Sequence, residues 1–146
     1  VILRINTTRR IKMGIKFYVA GSFGNKNVVN KLIKSLEQHG LQNTYNWTLN
    51  DKAINKEDLR KIGQSEADAV KNSDILLAIL PGGKGTYTEI GIAIGHNKPI
   101  LLLAQNEKIF EADNAATFYF LENVYRKQLD RIDVYEEVIG IIESVK

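Results

Sequence analysis

Ile75-Leu76-Leu77-Ala78-Ile79-Leu80 runs directly into Pro81-Gly82-Gly83-Lys84-Gly85-Thr86-Tyr87-Thr88-Glu89. The six apolar residues read as a strand buried on both faces, as in a parallel sheet. The glycines let a ligand approach the backbone where a Cβ would hold it off. Thr86 is placed to cap the helix that follows, whose free N–H groups favour an anion or a polar ligand. Glu89, three residues on, then stands one turn into that helix, beside the ligand. Strand, glycine-rich turn and acid-bearing helix make a βα unit with a binding edge.

The same alternation extends in both directions. Residues 15–20 form a short apolar strand that ends in Gly21-Ser22-Phe23-Gly24. Asn25 or Asn27 is placed to cap a helix through His39, with Val28, Val29, Leu32, Ile33 and Leu36 on one face, and Gly40 stops it. Residues 44–48 read as a second strand at an edge, 50–56 as a polar loop over the site, and 57–72 as a helix leading to the strand at 74–80. A third helix is expected from Thr86 to about His96, and a fourth strand at 99–104. Residues 105–124 fit no single element. A short strand near Val124 completes the sheet, and Asp133 caps a last helix through Val145. Short βα connections predict an α/β fold: one doubly wound parallel sheet, flavodoxin-like or Rossmann-like, of four to five strands with helices on both faces. Ligands bind such sheets outside the carboxyl ends of the strands, where strand order reverses. Loops 21–27, 46–56 and 81–86 are expected to meet there, with Tyr18 near the same edge.

Composition narrows the chemistry. At 146 residues the chain suits one domain with an ordinary core. Cysteine is absent, which excludes a disulfide framework, thiol catalysis and cysteine metal sites; the only histidines, His39 and His96, are far apart, which argues against zinc. No metal or other cofactor is expected. No apolar run approaches the roughly 20 residues that span a bilayer, so no membrane partner and a cytoplasmic location are expected. The net charge of +3 owes its sign to Arg4, Arg9, Arg10 and Lys12; without them 16 basic residues face 17 acidic ones. No surface for a nucleic-acid polymer is expected. Residues 1–12 read as an upstream extension, a basic arm or targeting segment being the other reading, and residues 13–146 as the single domain.

Phe17-Tyr18-Val19-Ala20-Gly21-Ser22 before a helix, Ser73-Asp74 before a strand, and Gly85-Thr86-x-x-Glu89-Ile90-Gly91-x-Ala93 after it form a familiar series. Together they resemble the nucleoside 2-deoxyribosyltransferase family, which includes the 2'-deoxynucleoside 5'-phosphate N-hydrolases. Asn97-Lys98-Pro99-Ile100-Leu101 fits the same pattern, and the resemblance covers roughly residues 15–104. It implies a nucleoside-binding domain that breaks the N-glycosidic bond of a small nucleoside or nucleotide, working as a homodimer or larger homo-oligomer. Glu89 matches the family's nucleophile, which attacks C1' and forms a glycosyl-enzyme intermediate. Tyr18 matches a tyrosine that positions that glutamate. Gly21 and Ser22, with Gly83, Gly85 and Thr86, match contacts to the sugar and phosphate side.

An oxocarbenium-like transition state needs a carboxylate on one face and a proton donor for the departing base. Where the family has an Asp on the helix before the third strand, this chain has Glu66. Asp68 lies two residues on, turned away from Glu66 on a helix, and Glu66 is the expected acid. The Arg that follows Gly-Ser-apolar in the monophosphate hydrolases is Gly24 here, leaving Lys26 or Lys84 to meet a phosphate. Trp47, beside Asn46, suits stacking and an edge hydrogen bond to a nucleobase, and equally suits packing. The run Phe118-Tyr119-Phe120 reads as core or an oligomer contact.

Pro-Gly-Gly-x-Gly-Thr-x-x-Glu at 81–89 also resembles the LOG-type phosphoribohydrolases, but Thr44-Tyr45-Asn46-Trp47-Thr48 stands where those carry a second glycine-rich loop. Both resemblances imply the same kind of bond. Two further readings use the same crevice: a nucleotide-sensing module without turnover, and a NAD-cleaving glycohydrolase.

Overall fold

A computed structural model of the chain describes residues 14–145, so the arm expected at residues 1–12 lies outside the described residues. Five strands form one all-parallel sheet: β1 (Lys16–Ala20), β2 (Gln42–Asn43), β3 (Ile75–Leu80), β4 (Ile100–Ala104) and β5 (Val124–Gln128). Their order is β2-β1-β3-β4-β5, the flavodoxin-like winding, with the switch point between β1 and β3. Four helices connect or follow them: α1 (Lys26–Gln38), α2 (Lys56–Asn72), α3 (Lys84–Gly95) and α4 (Val134–Ser144). α1 packs beside α4, and α2 beside α3, so both faces of the sheet are covered.

Burial follows from this layering. Every residue of β3 and β4 is buried, which explains their unbroken apolar sequences. In α1 the buried residues Val29, Leu32, Ile33 and Leu36 recur at helical spacing on one face. Gly40 ends that helix at φ +89°, a conformation that favours glycine. Asn55 caps α2 by accepting from the Asp58 N–H at 2.9 Å, and Asp133 caps α4 by accepting from Glu136 at 3.2 Å.

Three local expectations are corrected. The second strand is Gln42–Asn43 rather than 44–48. Thr44 N–H still reaches Phe17 O at 2.9 Å, but Asn46 then accepts from Thr48 N–H at 3.1 Å and starts a 3-10 turn over Trp47–Leu49. A local side-chain bond thus competes successfully with the ladder. Thr86 does not cap α3: Gly83 holds that place, and Thr86, in the first turn, accepts the Gly83 N–H at 3.0 Å. Asn25 holds the cap position of α1 but its side chain makes no cap bond; its NH2 group instead donates to Pro81 O. The ambiguous stretch 105–124 holds two 3-10 turns, Glu107–Phe110 and Thr117–Phe120, ahead of β5.

Leu77 sits in the middle of β3 with no exposed surface. Leu77→Ala is expected to lower unfolding stability by about 2–5 kcal/mol, read from urea denaturation, because the packed sheet cannot close the void.

Candidate active site

The carboxyl ends of β1 and β3 bring together residues far apart in sequence. Tyr18 pairs with Leu76 in the sheet register and is fully buried. Its phenol donates a hydrogen bond to the Glu89 carboxyl, which reaches it from α3 and is itself buried. Burial first, then the charge of Glu89 and the hydrogen bond to it, hold the Tyr18 phenol above its ordinary range. Burial pushes the Glu89 carboxyl up to about 8; the Tyr18 hydrogen bond opposes that rise, and the charge of Glu66 adds to it. Glu66, half-buried on α2, is raised by burial as well. Two carboxyls that feel one another in a dry setting cannot easily both ionise. Asp68, two residues from Glu66, is exposed and accepts from Gln64 at 2.9 Å.

Of this trio, Glu66 lines a cleft of about 530 Å³, whereas Tyr18 and Glu89 are not part of its wall. Glu66, Ile62 and Leu59 of α2 form one wall, Phe23 and Lys26 another, and Trp47 with residues 50–53 a third. Loops 21–27 and 46–56 therefore share one cavity. The 50–55 strap is held at both ends: Tyr45 donates to Asn50 at 2.6 Å, and Ile54 N–H donates to Asp58 at 3.0 Å where Asn55 caps α2. Trp47 is buried edge-on to Phe23, at 6.0 Å between ring centres. Its indole N–H donates to Val19 O at 2.8 Å, so its one polar atom serves the sheet. Asn46 is not turned to the cleft; it donates to Asn30 of α1 and accepts from Thr48. Lys26 lines the cleft with its ammonium 5.2 Å from the Phe23 ring centre, whereas Lys84 is exposed at the start of α3.

The glycines divide into two kinds. A Cβ on Gly21 would come within 2.9 Å of Val29, and one on Gly82 within 2.5 Å of Thr86, so packing demands glycine at both. Gly83 and Gly85 have room, with only the Ser22 Cβ at 3.8 Å from a Cβ on Gly83. Ser22 and Gly83 thus face each other across the switch point. One residue the sequence reading treated only as a helix cap ties this edge together: Asn25 donates to Ser22 Oγ and to Pro81 O, each at 3.2 Å. Asn25 lies two residues past Phe23 on the loop already singled out, but no motif marks its amide. Tyr87 was also unmarked; its hydroxyl accepts the Gly82 N–H at 3.3 Å.

Glu89 carries a stability sign that can be checked without knowing a substrate. Its folded pKa, about 8, lies above the 4.5 of an exposed glutamate, so its favourable contribution is complete below pH 4.5 and is lost as pH rises through 8. Glu89→Gln removes that loss. The variant is expected to unfold at higher urea than the parent at pH 8 by several kcal/mol of stability, and to show little difference near pH 4.5.

The family model for nucleoside 2-deoxyribosyltransferases matches residues 17–134. Among solved structures, the chain resembles the CMP N-glycosidase BcmB of Clostridium botulinum at 21% identity and a TM-score of 0.57, over 88% of this chain and 98% of that one. It resembles the 2-deoxyribosyltransferase of the psychrotolerant Bacillus psychrosaccharolyticus at 18% identity and a TM-score of 0.62, over 82% and 90%. A conserved protein of Enterococcus faecalis V583 follows at 19% identity and a TM-score of 0.50, over 88% and 97%. These likenesses establish the shared fold. A search of the curated proteins finds no match. Among the described residues no helix is long and apolar enough to cross a membrane. With more than half its length matched, the chain belongs to the nucleoside 2-deoxyribosyltransferase family, enzymes that cleave or transfer the N-glycosidic bond of nucleosides.

Proposed function

We propose that this enzyme cleaves the N-glycosidic bond of a small nucleoside or nucleotide through Glu89, and passes the sugar to water or to a second base. The observation that carries the reading is the buried Tyr18–Glu89 hydrogen bond beside a cleft walled by a second carboxyl, Glu66. In the first step a Glu89 carboxylate oxygen bonds to C1' as the C1'–N bond breaks. The bonding pair leaves on the base nitrogen, which takes a proton from Glu66. In the second, water or an incoming base attacks C1', the glycosyl–Glu89 ester breaks, and Glu66 receives the proton back. Attack starts from the ionised fraction of Glu89, whose proton has passed to solvent, and the sugar becoming cationic stabilises that carboxylate.

Tyr18 has no exposed surface and its phenol, among the described residues, bonds Glu89 alone, which suits holding Glu89 in place better than touching substrate. Trp47 and Phe23 supply apolar wall for a base. Gly83 and Gly85, with Ser22 opposite, supply open backbone for the sugar side. Exposed Phe118, Phe120 and Leu121, near β5, support association into a homodimer or larger assembly. Glu66 on the cleft wall favours turnover over silent nucleotide sensing.

Base release from ribo- and deoxyribonucleosides, their 5'-monophosphates and NAD, followed by chromatography, tests the reading. Release is expected from a nucleoside or nucleotide, falling on the order of 10³-fold or more in Glu89→Ala; intact turnover in that variant removes Glu89 as nucleophile. A new nucleoside formed with an added base identifies transfer.

Because attack needs the carboxylate and the free carboxyl titrates at about 8, kcat/KM is expected to be still rising with pH at 8, where Glu89 is half ionised. Tyr18→Phe deletes the bond that lowers this pKa, so the rising limb is expected to move to higher pH. An unmoved limb places the titration elsewhere.

A further inference from the structure

The Asn25 side chain sits between the two loops that flank the switch point. Its amide nitrogen is 3.2 Å from Pro81 O and 3.2 Å from Ser22 Oγ. A carbonyl oxygen only accepts, so Pro81 fixes which end of the amide faces inward: both contacts are made by the NH2 group. Ser22 Oγ therefore accepts from Asn25. A hydroxyl has a single hydrogen, and among the described residues that of Ser22 meets no acceptor. It remains for whatever enters beside Gly83, whose backbone faces the Ser22 side chain.

We infer that Asn25 is a positioning residue for substrate: by donating to Ser22 it sets that hydroxyl as a donor toward a hydrogen-bond acceptor on the sugar side of the substrate. The inference rests on the glycosidic-cleavage reading and deepens it. The neighbouring donors agree in sign. Gly82 and Gly83 N–H are already taken by Tyr87 and Thr86, while the first helical N–H groups of α3, at Lys84 and Gly85, have no intrahelical acceptor. A sugar-side acceptor, whether a 5'-hydroxyl oxygen or a 5'-phosphate oxygen, suits these donors. Asn25 also ties Ser22 to Pro81, so the donor stays in register with the α3 terminus.

Two substitutions separate polarity from packing. Asn25→Ala frees the Ser22 hydroxyl to rotate. Asn25→Asp is nearly isosteric but presents an acceptor, which draws the Ser22 hydrogen inward. KM and kcat for base release are measured with a neutral nucleoside and with its 5'-monophosphate, together with melting temperature. Asn25→Asp is expected to raise KM roughly tenfold or more with kcat little changed, and Asn25→Ala to raise it less. A rise for the neutral nucleoside shows that charge repulsion is not the cause, and the larger of the two effects in Asn25→Ala, which adds no charge, identifies the acceptor as hydroxyl or phosphate. In a Ser22→Ala background either substitution is expected to add almost nothing. An unchanged KM, equal losses with and without Ser22, or kcat and melting temperature falling together overturns the inference and leaves the cleavage reading standing. If the parent protein releases no base, that reading fails instead. The same comparison made in Kd for the 5'-monophosphate then decides the role of Asn25, and absence of saturable binding overturns it.

Discussion

One hydrogen bond joins the two halves of the chemistry: the phenol of Tyr18, rising from the middle of β1, meets the Glu89 carboxyl on α3. Neither group suits the interior alone. A buried unpaired phenol or carboxyl loses its water contacts without return, and the pair limits that cost. The constraint reaches outward from there. β1 and β3 must be neighbours in register, the turn after β3 must be tight, and α3 must start where Gly82 and Thr86 can touch. The parallel order with its switch point between β1 and β3 meets these demands together.

The electrostatics have a direction. Burial keeps Glu89 neutral near pH 7, with Glu66 working the same way, and the Tyr18 hydrogen bond opposes both. Such a carboxyl is held against its preferred charge state, and a cation forming beside it stabilises the ionised form. Stability is given up at neutral and alkaline pH for a group poised to ionise late, a common relation between folding and reactivity.

Much of this architecture was legible because its signals are strong and local. The runs Ile75–Leu80 and Ile100–Ala104 have no polar interruption, so they fit only fully covered strands. The α1 face follows from the spacing of Val29, Leu32, Ile33 and Leu36. The second strand was misplaced because Tyr45 and Trp47 carry strand propensity, while Asn46 decides the backbone through a bond to Thr48 that no propensity contains. At the site, the parallel topology puts Tyr18 and Glu89 at one edge and the resemblance pairs them; the contact itself joins residues 71 positions apart in sequence. The bridging role of Asn25 is hidden in the sequence for a related reason. An Asn before a helix is ordinarily read as a cap, and only the folded chain shows its amide reaching across to Pro81.

The strap from Asn50 to Asn55 gives the cleft a further property. Tyr45 holds one end and the α2 cap the other, so only a few residues between them remain to be fixed when a molecule enters. Fixing a free backbone costs about 1–2 kcal/mol for each residue. Anchoring both ends confines that expense to a short span, and more of the contact energy is left to express affinity. Tyr45 and Asp58, which bond Asn50 and Ile54 rather than the reacting carboxyls, thereby set part of how tightly the cleft holds its guest.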